Sequence, residues 1–201
     1  NLLLIVISLG LLFFLFNQKD TASNSIGANA IEKNKPCVVG INTKTIESSI
    51  NKMYLDLGSN IDSVEISNSG SGVIISSDGY IITNAHVVED ATDISITLDG
   101  GRSFKGIVKG IDHLSDLALI QIIDHKLSGN DTNFPYVELG DSDNLAVGES
   151  VFALGNPLGL FNVSNQPTAT AGIISGTNIN FGLNPGGYVY PIRFKTNVLK
   201  N

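Results

Sequence analysis

The rhythm of hydrophobic and polar positions changes several times along the chain. Leu2 to Phe16 (LLLIVISLGLLFFLF) is almost wholly apolar, with no charge before Lys19. A helix of this composition has no polar face to show water. At about 1.5 Å per residue it spans roughly 22 Å, short of a hydrocarbon core of about 30 Å. The run therefore reads as part of a longer hydrophobic segment: a transmembrane helix, or the remnant of a signal peptide with Ala28-Asn29-Ala30 as a small-x-small site. A buried core helix is the third reading. Asn17 to Lys35 is polar and reads as a linker.

After Pro36 the pattern shortens. Cys37 to Ile41 (CVVGI) reads as a first strand. Ile46, Ile50, Met53 and Leu57 recur at helical spacing and predict a short helix over 45–57. Asn60 to Gly72 reads as a polar loop. Val73-Ile74-Ile75 and Tyr80-Ile81-Ile82 then flank Ser77-Asp78-Gly79, and Asp-Gly between apolar runs predicts a hairpin. Ile94 to Leu98 alternates apolar and polar, as a half-buried strand does. Phe104 to Lys109 is a further strand. Leu117 to Ile120 is a continuous apolar run, expected to be buried on both faces. Residues 128–135 form a turn-rich break. Strands follow at 149–154, 168–175 and 188–196, with Asn156-Pro157-Leu158-Gly159 as a turn cluster. Short strands with Gly-rich turns imply a mainly β sandwich or barrel in two halves.

Composition narrows the chemistry. The 201 residues carry 12 basic and 19 acidic side chains, a net charge of -7. No basic patch is available to neutralise phosphates, so no nucleic-acid partner is expected. One cysteine, Cys37, excludes an intramolecular disulfide and a multi-cysteine zinc site. Three histidines, His86, His113 and His125, leave little for a metal centre. His113 and His125 read as solvated loop residues.

Two residues say more together than apart. His86 follows an apolar strand, in Thr83-Asn84-Ala85-His86-Val87-Val88. Asp116 opens an apolar run, where a carboxylate is costly to bury unless donors reach it. Each alone fits a structural role. As a pair, a buried Asp accepts the Nδ1–H of a histidine and fixes its tautomer, which leaves the other ring nitrogen to take a proton from a serine hydroxyl. His before Asp in the chain is one of the known triad orders.

The segments around these residues carry a resemblance. Gly70-Ser71-Gly72-Val73-Ile74-Ile75 and Gly79 to Val88 resemble the start of an HtrA/Deg-family serine protease. Ser115 to Leu119, Leu139-Gly140-Asp141-Ser142-Asp143, Val147-Gly148-Glu149, Leu154 to Gly159 and Thr170 to Ser175 follow in the family's order, and Ala30-Ile31-Glu32-Lys33 precedes them all. The resemblance implies a trypsin-like fold of two perpendicular six-stranded barrels, His86 as general base and Asp116 as its orienter. It implies no cofactor and no metal. It implies unfolded or damaged proteins as substrates, homotrimers, and often a C-terminal PDZ domain.

The expected organisation is thus a transmembrane anchor or signal segment over 1–17, a linker over 18–35, a first protease barrel over 36–127 carrying His86 and Asp116, and an incomplete second barrel over 135–201. Thr196 to Asn201 resembles, imperfectly, the family segment T-D-A-A-I-N, which the family follows with P-G-N-S-G-G and its nucleophile serine. The expected parent is a serine-type endopeptidase of extracytoplasmic protein quality control. It is expected to be anchored in the membrane through its N-terminal segment, or secreted after signal cleavage. The 201 residues alone are expected to be inactive, lacking that serine. The alternative is a non-catalytic, protease-derived protein-binding module.

Overall fold

A computed structural model describes residues 2–8, 11–17, 24–47, 64–123, 133–156, 159–177 and 194–198. Its centre is a closed barrel of six antiparallel strands: β3 (Val38–Glu47), β4 (Val64–Ile74), β5 (Tyr80–Asn84), β6 (Asp93–Thr97), β7 (Ser103–Asp112) and β8 (Leu117–Ile122). Around the barrel the order is β3-β4-β5-β8-β7-β6. The β4–β5 hairpin sits where Asp78-Gly79 predicts it, and Gly79 takes φ +83, a conformation a side chain would strain. Alternation fills the interior: Val39, Ile41, Ile74, Ile81, Ile96 and Ile120 point inward and are fully buried. Phe104 and Phe134 meet edge to face at the barrel's end, with ring centroids 5.5 Å apart.

A second, open sheet has the order β1-β2-β9-β10-β11, where β1 is Leu2–Ser8, β2 Leu11–Asn17, β9 Ser150–Gly155, β10 Thr168–Thr177 and β11 Phe194–Val198. The two sheets share a smaller core. Val38 and Val73 face away from the barrel interior and pack with Cys37, Val137 and Leu154. Burial on both faces explains why β3 and the end of β4 read as continuous apolar runs. Helix α1 (Asn24–Asn34) lies over this region, and a Cβ at its Gly27 would stand 2.5 Å from the Phe152 ring.

Several expectations are corrected here. The apolar run Leu2–Phe16 is not a transmembrane helix: it forms β1 and β2, antiparallel to each other, with β2 paired to β9 from Phe14↔Leu154 to Asn17↔Val151. Among the described residues no helix is long and apolar enough to cross a membrane. The N-terminal transmembrane helix of the expected fold class falls with that finding. So do the membrane as a partner and the membrane-anchored localisation drawn from this segment. The physical reason is that a short apolar run suits a strand buried in a sheet as well as a helix, and periodicity does not separate the two. The β-branched and aromatic residues at Ile5, Val6, Ile7, Phe13, Phe14 and Phe16 favour the extended form.

Other differences are smaller. The described residues give one closed barrel and one open five-stranded sheet, in place of two six-stranded barrels. Asn24–Asn34 is helical where a linker is expected. Val64–Ser71 is strand where a loop is expected; its outer half, Glu65 to Ser69, is mostly exposed and so shows no apolar alternation. Thr45–Glu47 belongs to β3, and the rest of the helix expected over 45–57 lies outside the described residues. In β8 only Ala118, Ile120 and Ile122 are buried, with Leu117 and Leu119 half-buried.

Candidate active site

β5 ends at Asn84, and the chain turns at once into one helical turn, Ala85–Val88. The first N–H groups of such a turn have no partner within it. Asp116 supplies one from thirty residues away. The backbone N–H of His86 donates to Asp116 Oδ1 at 3.0 Å, and the N–H of Ala85 donates to the Asp116 carbonyl at 3.1 Å. A remote aspartate thus caps the turn that carries the histidine.

Asp116 reaches this place through a strained turn. Asp112 accepts from Leu114 N at 2.9 Å and from Ser115 Oγ at 2.6 Å. These bonds, the Ser115 hydroxyl first, hold the Asp112 carboxyl below the usual carboxylate range. The turn delivers Asp116 in a left-handed conformation, φ +55, that non-glycine residues rarely adopt. Strain of this kind persists where the surroundings over-determine it, commonly at functional sites.

The result is a histidine–carboxylate pair. His86 Nδ1 lies 2.8 Å from Asp116 Oδ2 and 2.9 Å from Oδ1. The aspartate side chain is fully buried and the imidazole is 32% exposed. Such burial is tolerable because every approach to the carboxylate is a donor. The third donor is Asn84, whose Nδ2 lies 3.1 Å from Asp116 Oδ2 and 3.2 Å from the Asp116 carbonyl. Sequence reasoning does not find Asn84. The available signal is its place, a capping-type residue directly between a strand and the helical turn.

The pair rests on a close approach. Gly70 of β4 backs onto Val87, and a Cβ there would stand 2.6 and 2.7 Å from the two Val87 γ-methyls. Thr43 Oγ1 donates to the Val87 carbonyl at 3.1 Å. The second sheet is tied to the same strand. Ser71 Oγ accepts from Asn156 N at 2.7 Å, Asn156 Nδ2 donates to the Gly70 carbonyl at 3.2 Å, and Phe161 N donates to Asn156 Oδ1 at 2.6 Å. Asn156 and Phe161 are both buried.

The other histidines, the cysteine and two serines have places of their own. Ser71 is committed to this joint, and the Ser164 hydroxyl donates to the carbonyls of Leu160 and Gln166. His113 is exposed and faces Glu89 at 3.4 Å. His125 lies outside the described residues. Cys37 is buried and its thiol is pushed up to about 11 by desolvation. No group of three or more His, Cys, Asp or Glu side chains converges to hold a metal ion among the described residues.

Comparison with known proteins gives the family. The trypsin-like peptidase domain family matches residues 70–198. HhoA of Synechocystis sp., named as a serine protease, is 38% identical over 164 residues, covering 76% of this chain and 39% of HhoA. A DegP-like protein of Chlamydia pneumoniae, named as a periplasmic serine endoprotease, is 43% identical over 111 residues, covering 55% of this chain and 20% of its own. The solved structure of the HtrA-type protease AlgW with a decapeptide is similar with a TM-score of 0.63 and 29% identity, over 87% of this chain and 52% of AlgW. The chain therefore spans well under half the length of these two relatives. A match over most of the chain means that the chain belongs to the trypsin-like peptidases and, among them, to the HtrA/Deg serine proteases.

Proposed function

We propose that this protein is a serine-type endopeptidase of protein quality control in which His86 is the general base and Asp116 its orienter. The observation that carries the reading is the pair itself: a fully buried carboxylate at 2.8 Å from Nδ1 of a ring that is one-third exposed. Nδ1–H donates to Asp116, so neutral His86 presents its lone pair at Nε2. A serine hydroxyl brought to Nε2 gives up its proton there as its oxygen bonds the scissile carbonyl carbon. The imidazolium, stabilised by Asp116, then protonates the leaving amine as the C–N bond breaks. Water repeats the sequence on the acyl ester, and the serine is restored. The decapeptide held by AlgW supports polypeptides as the substrate class.

A second reading is favoured by the same decapeptide, because holding a peptide requires no cleavage: a protease-derived module that binds polypeptides without cutting them. Among the described residues no serine hydroxyl hydrogen-bonds the His86 ring.

Digestion of unfolded casein tests the first reading. Cleavage by the full protein should be abolished by His86→Ala and fall about ten-thousandfold in Asp116→Asn, where the tautomer is wrong. Cleavage that survives both substitutions refutes the assignment. Saturable casein binding without cleavage, unchanged by either substitution, selects the second reading.

A further inference from the structure

Asn84 sits at the capping position of the helical turn Ala85–Val88, with φ -77 and ψ 145. Asn is favoured there because its side-chain oxygen accepts from an orphan N–H of the first turn, an interaction worth about 1 kcal/mol. Asn84 does not make that bond. Its Oδ1 is buried with no hydrogen-bond partner, while its Nδ2 is aimed at Asp116. The amide orientation follows from its neighbours, since both atoms within reach of Nδ2 are acceptors, Asp116 Oδ2 and the Asp116 carbonyl. The capping role has passed to Asp116, whose Oδ1 takes the His86 N–H.

Leaving a buried acceptor unpaired carries a cost that native proteins rarely accept without a function for it. Here the amide forgoes its own cap and orphans its oxygen, and in exchange locks Oδ2 of the carboxylate, the oxygen 2.8 Å from His86 Nδ1. We infer that Asn84 is a positioning residue. It clamps Asp116 Oδ2 from one side while the His86 N–H clamps Oδ1 from the other, so that the carboxylate presents a fixed edge to Nδ1. The inference rests on the general-base reading of His86 and deepens it, by naming a residue that acts on the base through the aspartate.

The experiment reads the His86 ring directly, by 15N chemical shifts of neutral imidazole in the folded protein. Wild type is expected as the Nδ1–H tautomer. Asn84→Ser keeps a capping residue but is too short to reach Asp116 Oδ2. The ratio of Nδ1–H to Nε2–H should fall, because a carboxylate released on one side no longer holds its edge against Nδ1. Asn84→Ala removes the amide donor without adding charge; the same fall is expected if the serine variant does not fold. A residue that served only the turn would leave the ratio unchanged in both. An unchanged ratio in either folded variant overturns the inference. A wild-type ring that is not the Nδ1–H tautomer overturns the general-base reading itself, which separates the two failures. Where casein is cleaved, Asn84→Ser should lower kcat about tenfold with KM unchanged.

Discussion

Gly70→Ala tests how the first barrel places His86. The added methyl would stand 2.6 and 2.7 Å from the Val87 γ-methyls and 3.3 Å from its Cβ. Ordinary carbon contacts lie near 3.5–4.0 Å, so about 1 Å of movement is required. Rotation does not provide it, because Val is stiff at χ1 and both γ-carbons are already in contact. Val87 must move with its helical turn, which carries His86, or β4 must bend. Overpacking of this kind costs about 1–3 kcal/mol. Loss of glycine's freedom in the unfolded chain returns about 0.4–1 kcal/mol, so a net loss of about 1–2 kcal/mol is expected. Val87→Ala removes both clashing methyls and is itself destabilising, by about 1–3 kcal/mol for two buried methyls. The double variant should be more stable than the sum of the singles by about 1–3 kcal/mol, since the new methyl fills the vacated space. Urea unfolding of the four proteins measures this. Additivity within about 0.5 kcal/mol would refute the reasoning, as would a Gly70→Ala protein as stable as wild type.

Three further outcomes are expected. Asn156→Ala should cost about 2–4 kcal/mol by urea unfolding, because it strands the buried Gly70 carbonyl and Phe161 N–H together; a cost below about 0.5 kcal/mol would show that the joint is dispensable. Cys37, buried and pushed up to about 11, should resist a thiol reagent at pH 8 in the native protein and react at once in urea; rapid native labelling would contradict its burial. The Asp112 carboxyl is held low by Ser115 and Leu114, so its contribution to the turn is present above the ordinary carboxylate pKa of about 4 and is lost as pH falls through the depressed folded value. Amide exchange at Leu114 and Ser115, corrected for the intrinsic rate, should accelerate over that acid range in wild type and not in Asp112→Ala. A flat wild-type profile would remove Asp112 as the turn's anchor.

The legible parts of the molecule are those whose signals are local. Asp78-Gly79 announces its hairpin because only certain residues tolerate the turn. Ile94 to Leu98 shows its half-burial by alternation. His86 and Asp116 are visible because motif order survives when the sequence is read alone, and the structure brings them within 2.8 Å. What is missed is relational. Leu2–Phe16 carries no alternation, since strand and helix look alike when an apolar run has no polar face. Glu65–Ser69 is a strand extension mostly open to water, so it imitates a loop. Asn156 reads as a turn residue, and nothing local says that its amide reaches Gly70, 86 positions away. Asn84 looks like an ordinary cap until the direction of its amide is known.

The pairing of β2 with β9 sets a schedule for synthesis. The chain leaves the ribosome N-terminus first, at about 5–20 residues per second, so the β1–β2 segment appears on the order of ten seconds before the strand it pairs with, about 130 residues downstream. In that interval all six strands of the closed barrel emerge, and the His86–Asp116 pair can form while the second sheet is still unmade. An apolar hairpin with an open edge is the form of nascent chain most prone to join a neighbour's edge. The rate of translation over residues 18–149 therefore sets how long the β1–β2 segment waits for the strand that pairs with it.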